Sequence, residues 1–279
     1  MSTTVAAPRL STPRRAVPAG ACDTHTHVFD ARFAAGPAPY ALPEADLGTH
    51  AAMRATLGTP RAVLVQPAPY GRDPACLLDA LRRDPALRGV MIADEQVTDA
   101  TLEAWHAAGI RALRFVEMLA PGGGGRYPGA IGTEALRALA PRLRALGWQA
   151  HLWATATQLS ELLPTLVPLG VPLVVDHGGM PGGVEDPGFV ALLRLLRDGT
   201  AWVKITDCRL RCDPRPVQDA LVAANPDRLL WGSDWPYVRI TPPPDAGAMM
   251  DAFLDGLGDD ALARRILVDN PARLFGYDA

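Results

Sequence analysis

The chain has 279 residues, with 27 Lys and Arg against 30 Asp and Glu, a net charge of -3 and an isoelectric point near 6.1. That balance leaves no basic surface for nucleic acid or anionic lipid, so a small-molecule partner is expected. Four scattered cysteines (Cys22, Cys76, Cys208, Cys212) are too sparse for a disulfide scaffold and point to a reduced, cytoplasmic setting, and no stretch is long and apolar enough to cross a membrane.

Residues 1–20 are rich in Pro, Ala, Ser and Thr without an apolar run, which predicts a disordered leader before a folded unit spanning 21–279. The first strand is "ACDTHTH" (21–27). Short apolar, β-branched runs then recur: "RAVLVQP" (61–67), "RGVMIAD" (88–94), "IRALRFV" (110–116), "WQAHLWA" (148–154), "VPLVVDH" (171–177), "AWVKIT" (201–206) and "RLLWGSD" (228–234). Helical patterns such as "ACLLDALRRD", "ATLEAWHAAG", "TEALRALAPRLRALG", "QLSELLPTLVPLG" and "FVALLRLLRDG" separate them, several closed by Gly. Eight β-then-α units predict a single-domain α/β fold, a (β/α)8 TIM-type barrel.

Chemistry in such a barrel gathers where strands end, and the polar residues follow that rule. Strict alternation puts Asp23, His25 and His27 on one face of the first strand, while Gln66, Arg114, Trp153, His177, Thr206 and Asp234 fall at later strand ends. The glycine-rich segment 119–130 lacks the Lys-Ser/Thr ending of a phosphate loop and reads as a lid or as slack. Two imidazoles on one face can bind a metal, polarise a carbonyl, or only stabilise a strand end by hydrogen bonds. "VVDHGG" and "LLWGSDWP" bring a further His and an Asp to the same mouth.

With those motifs in this order, the chain resembles the amidohydrolase superfamily, in which His-x-His opens the first strand and an Asp closes the eighth. Within it, "DTHTHVFD", "VLVQPAPYGRD", "AGIRALRFVEM", "VVDHGG", "WVKIT" and "RLLWGSDWP" are similar to the branch of 2-pyrone-4,6-dicarboxylate lactonase, sugar-acid lactonases and galactarolactone isomerase. The resemblance covers residues 21–276 and implies a lactonase. Asp234 would activate water and His25, His27 and His177 would polarise the lactone carbonyl, since hydrolysis needs a base and donors for the oxyanion.

Binuclear members of the superfamily use a lysine on the fourth strand, where this chain has Arg114, so two metals are not expected. The resemblance to the metal-free pyrone lactonase implies no cofactor; the alternative is one zinc on His25, His27, His177 and Asp234. His151 lies deeper along the fifth strand and reads as a core histidine.

The same resemblance assigns substrate binding to Arg114 and Arg209, because arginine grips a carboxylate bidentately, with Tyr40, Tyr70 and Trp153 as further contacts. The chain departs from the pyrone lactonase at three positions: Ala120 and Met180 stand where arginines are expected, and Trp153 where a tyrosine is. Loss of two cations argues against a dicarboxylate and for a lactone with one carboxylate or a hydroxylated ring. Lactone isomerisation, zinc-dependent decarboxylation and a non-catalytic binding barrel are the competing readings.

Overall fold

Parallel strands cannot be joined by tight turns, and helical crossovers make each connection here. In the computed structural model, which describes residues 8–278, the strands are β1 (Cys22–Thr26), β2 (Arg61–Val65), β3 (Leu87–Met91), β4 (Ile110–Val116), β5 (Gln149–Trp153), β6 (Leu173–Val175), β7 (Ala201–Ile205) and β8 (Leu229–Trp231). They pair in parallel and in sequence order, the arrangement of a (β/α)8 barrel. Around them run α1 (Leu47–Leu57), α2 (Ala75–Arg83), α3 (Asp99–Ala107), α4 (Leu136–Leu146), α5 (Ala156–Leu166), α6 (Pro187–Arg197), α7 (Pro214–Ala224), α8 (Ala246–Leu257), α9 (Asp260–Arg264) and α10 (Asn270–Phe275). None is long and apolar enough to cross a membrane. Their starts use the expected chemistry: Asp46 accepts from Thr49 N, and Thr155 forms a capping box with Gln158.

The alternation of side chains sorts the apolar residues into two sets. Ala62 and Leu64 of β2 join the layer between sheet and helices, whereas Val63 and Val65 join the barrel interior with Val90, Ala112, Val174 and Leu230. Phe275 and Tyr277, at the end of the chain, plug this interior set. A barrel interior is normally filled by branched apolar layers. Here the layer above the plug is polar: Arg114, His151, Asp176 and Lys204 are each no more than 4% exposed.

Strict alternation fails in β1. Cys22 belongs to the interior set, yet His25, an odd number of residues later, also meets interior groups. The β1–β2 register shifts between Asp23 and Thr26, and that irregularity turns His25 inward. Thr26 faces the helical layer instead, where His50 of α1 bonds its hydroxyl at 3.0 Å.

The barrel closes between β8 and β1 beyond the ladder itself. Asp234 N donates to His25 O and His27 N donates to Trp235 O, each at 2.9 Å, and Thr24 Oγ1 donates to Trp231 O at 2.7 Å. Gly232 allows this approach, because a Cβ there would lie 2.6 Å from His25 Cβ.

The described part of the expected leader differs from the disorder its composition predicts. Residues 1–7 lie outside the described residues, but Ser11 bonds Asp245, and Arg14 and Arg15 donate backbone N–H groups to Asp251 at 2.9 Å each. Carboxylates presented by α8 and its N-cap supply the partners that the leader's own sequence lacks.

Candidate active site

The histidine pair sits where β1 runs out. His25 is the fourth residue of β1 and His27 follows its end; both rings are buried, 5.1 Å apart between centroids. His177 follows β6 and Asp234 follows β8, each in the left-handed region, at φ 56° and 63°. Such a backbone is costly for a residue with a Cβ and persists only where its surroundings enforce it. At Asp234 the enforcing contact is the bond from its N–H to His25 O.

These groups converge. Asp234 Oδ1 lies 3.5 Å from His25 Nε2 and 3.3 Å from His27 Nε2, and the rings of His25 and His177 are 4.7 Å apart. His27 Nδ1 is 2.8 Å from the Val65 carbonyl and donates to it, while its Nε2 faces Asp234 Oδ1. The other oxygen of Asp234, Oδ2, is held by the Arg209 guanidinium. Beneath, Asp23 Oδ1 accepts from Ser233 N at 3.0 Å and His25 N at 3.2 Å, tying the two strand ends together.

Electrostatics separate the roles. Burial alone would push the Asp234 carboxyl up, but Arg209, the His27 hydrogen bond and the other histidines hold it well below the usual range, so it is ionised at neutral pH. Burial drives His177 down to about 3 and, with the neighbouring Lys204 charge, drives His25 well below the ordinary imidazole value. Both rings are therefore neutral at neutral pH, able to donate a hydrogen bond without carrying charge. Burial raises Asp23 to about 6, and its hydrogen bonds from Ser233 and His25 oppose the rise.

A cavity of about 300 Å³ opens above this cluster, lined by His27, Tyr40, Arg114, Trp153, His177, Met180, Arg209 and Asp234, among others. Seven of the nine residues expected at the site thus line one mouth, and an eighth, His25, lies directly beneath it. Tyr70 does neither: it lies below a neighbouring surface groove, and its hydroxyl is engaged with the backbone of Asp30, accepting from N at 2.9 Å and facing O at 3.2 Å. Arg114 straddles two functions, donating Nε to Asp176 at 2.9 Å while its guanidinium covers the Trp153 ring at 4.8 Å.

Two mouth residues escape sequence reading. Arg239, from the segment after β8, bonds the Tyr127 hydroxyl, and Tyr127, from the glycine-rich segment, stacks on Trp153 at 5.2 Å. Among the described residues no carboxylate pairs with Arg239, whereas Arg114 and Arg209 are paired with Asp176 and Asp234. Lys204 was given no role although it lies in the "WVKIT" stretch; its signal was a charge in the middle of an apolar strand. The fate of that charge is specific: Nζ lies 3.2 Å from Asp176 Oδ1.

His25, His27 and Asp234 bring three donor atoms within 4.8 Å of one another, a set that fits one zinc ion. The Nδ1 bond of His27 to a backbone carbonyl is the support a metal-binding imidazole uses. His177 is the further donor at the same mouth. Arg209 already neutralises the carboxylate, however, and the fourth strand offers Arg114 where a second metal would need a bridging ligand.

A family model described as amidohydrolase matches residues 22–277. The chain is similar to 4-sulfomuconolactone hydrolase of Rhizobium radiobacter, 33% identical over 94% of this chain and 91% of that protein. It is also similar to 2-pyrone-4,6-dicarboxylate hydrolase of Comamonas testosteroni, 32% identical over 95% of this chain and 93% of that protein. Among solved structures, a probable 2-pyrone-4,6-dicarboxylic acid hydrolase of Acinetobacter baumannii with citric acid bound superposes with a TM-score of 0.80 at 25% identity, covering 92% of this chain and all of that one.

Proposed function

The chain belongs to the amidohydrolase family, and from that premise we propose that it is a lactonase, hydrolysing the ring ester of a small lactone that bears one anionic substituent. The observation that carries this reading is the meeting of one ionised carboxylate oxygen, Asp234 Oδ1, with His25 and His27 at the floor of a cavity whose rim holds the carboxylate-free Arg239.

Water entering the cavity gives a proton to Asp234 as its oxygen bonds to the lactone carbonyl carbon. His25 Nε2 and His177 face that carbonyl oxygen and donate to it as negative charge develops. The ring C–O bond then breaks, the proton held by Asp234 passes to the leaving oxygen, and a carboxylic acid and a hydroxyl result. Below the oxyanion lie two cations, Arg114 and Lys204, against one carboxylate, Asp176, and this excess of positive charge suits a developing anion.

The cofactor-free form of this mechanism is part of the proposal. Neutral imidazoles that donate N–H groups do the work a Lewis acid would do. If zinc is bound, His25, His27, Asp234 and His177 hold it, and it supplies polarisation of the carbonyl.

The substrate's charge follows from the mouth. Met180 lines the cavity and Ala120 lies in the glycine-rich segment, so neither supplies a cation. Arg114 and Arg209 keep their Nε bonds to internal carboxylates and have their remaining N–H groups to offer. Two cavity-lining cations lack a carboxylate partner among the described residues, Arg239 and Arg211; Arg239, anchored on the Tyr127 hydroxyl, is the one fixed in place to match one carboxylate or sulfonate. A reduced cytoplasmic setting agrees with four free cysteines.

The test is a panel of neutral, mono-anionic and di-anionic lactones followed by proton release, with and without a chelator, alongside zinc analysis of the purified protein. Turnover of mono-anionic lactones that survives chelation is expected. Inert lactones together with carbon dioxide release from a carboxylated enol or aromatic acid would replace the lactonase with a decarboxylase.

A further inference from the structure

Lys204 is fully buried in β7, directly under the site, and the mechanism above uses it only as a positive charge. Its Nζ meets three acceptors: His25 Nδ1 at 3.2 Å, His151 Nδ1 at 3.0 Å and Asp176 Oδ1 at 3.2 Å. An ammonium has three N–H groups and accepts nothing, so the count of donors matches the count of partners. We propose that Lys204 is a positioning residue that fixes the ring proton of His25 on Nε2, the nitrogen directed at Asp234 and the reacting carbonyl.

The argument compares the two neutral tautomers of His25. With the proton on Nδ1, an N–H group faces the N–H groups of Lys204 at 3.2 Å, while the Nε2 lone pair faces the anionic Asp234 Oδ1 at 3.5 Å. Both contacts then set like against like. Asp176 Oδ1, 3.3 Å from His25 Nδ1, offers that proton an acceptor, but the same oxygen already faces Lys204. With the proton on Nε2, Lys204 donates to Nδ1 and His25 donates towards Asp234 or a carbonyl, so both contacts are favourable.

An ammonium has no lone pair, so Lys204 can only donate to His25 Nδ1, and the Asp176 carboxylate 3.2 Å from Nζ favours that charged form. Burial lowers the Lys204 pKa and the Asp176 carboxylate opposes the shift. Lys204 itself and Arg114, bonded to the second oxygen of Asp176, keep that carboxylate ionised against the effect of burial. His151 is held in the same way from the other side, with its ring edge against Phe275 at 6.0 Å. The lysine therefore joins β1, β5 and β6 at the depth where the His25 ring must be oriented.

The consequence for turnover rests on the lactonase reading; the tautomer itself does not. The experiment is nitrogen-15 NMR of histidine-labelled full-length protein without substrate, with the His25 resonances assigned by their loss in His25→Asn. The expected spectrum shows His25 protonated at Nε2 in the wild type, moving to Nδ1 in Lys204→Met as Asp176 becomes the partner. In Lys204→Gln, whose amide can still donate, Nε2–H is retained. On an accepted lactone, Lys204→Met should lower kcat by roughly 10²-fold with KM within about threefold, and Lys204→Gln should recover part of the loss. A wild-type His25 protonated at Nδ1, an Nε2 bound to zinc, or a tautomer unchanged in Lys204→Met would overturn the proposal. The wild-type spectrum decides even if the Met variant does not fold. A protein inert to all lactones but with His25 protonated at Nε2 removes the lactonase reading alone.

Discussion

The guanidinium of Arg209 covers Oδ2 of Asp234, while Oδ1 of the same carboxylate faces the imidazoles of His25 and His27. One oxygen is thus neutralised by a cation and the other faces the two imidazoles. This division predicts distinct effects at the two residues. Asp234→Asn should lower kcat by about 10³-fold or more while leaving substrate affinity within a few-fold. Arg209→Met should act on pH dependence. In the proposed mechanism Asp234 acts ionised, and Arg209 holds its pKa down, so activity is expected to fall as pH drops through that pKa. Without the cation the acidic limb of the kcat/KM profile should move to higher pH, and an unmoved limb would show that Arg209 does not tune the base.

Arg239 should govern affinity for the substrate's charge. A charge-assisted hydrogen bond contributes about 1.5–3 kcal/mol, or roughly 10- to 100-fold. Arg239→Ala is therefore expected to raise KM by about that factor for mono-anionic lactones and to leave neutral lactones unaffected. Equal effects on both would show that the residue only shapes the mouth.

Asp23 makes stability depend on pH. Its carboxyl is fully buried and its pKa is raised to about 6, mainly by burial, against about 4 in an unfolded chain. A folded-state pKa above the unfolded one favours the folded form at low pH. That contribution is complete below about pH 4 and is lost as pH rises through 6. Asp23→Asn keeps an acceptor for Ser233 N and His25 N without a buried charge. Urea unfolding at pH 4.5 and 7.5 should show the variant gaining stability relative to wild type at the higher pH, by up to about 2–3 kcal/mol. A gap between variant and wild type that does not change with pH would contradict the assignment.

Gly232 sets the distance between β8 and His25. A methyl group there would meet His25 Cβ at 2.6 Å and His25 N at 3.0 Å, both on a rigid strand. Gly232→Ala should destabilise the protein by about 1–3 kcal/mol and, by displacing His25, reduce kcat more than KM. Thermal unfolding with steady-state kinetics on the same preparation checks both parts.

Much of the architecture was legible along the chain because it depends on local terms. Eight apolar β-branched runs separated by amphipathic patterns define the β/α alternation, and all eight strands were located within about three residues. The eighth ends at Trp231, three residues before the predicted end, so Asp234 is set by a loop rather than by strand alternation. The motif residues His25, His27, His177 and Asp234 carried their chemistry in their types and order. Tyr70 failed that logic because a tyrosine beside a motif has no local signal for which way its hydroxyl turns.

Tertiary structure decided the pairings. The irregular β1 register turns His25 inward against strict alternation, and α8 recruits residues that composition alone marks as disordered. Lys204 and Arg239 became visible only when distant strands and loops met around them. Residue type and spacing report short-range preferences of the backbone. The proton on a ring nitrogen and the partner of a buried charge are fixed by whichever groups the closed barrel brings within about 3 Å, and that is a property of the whole chain.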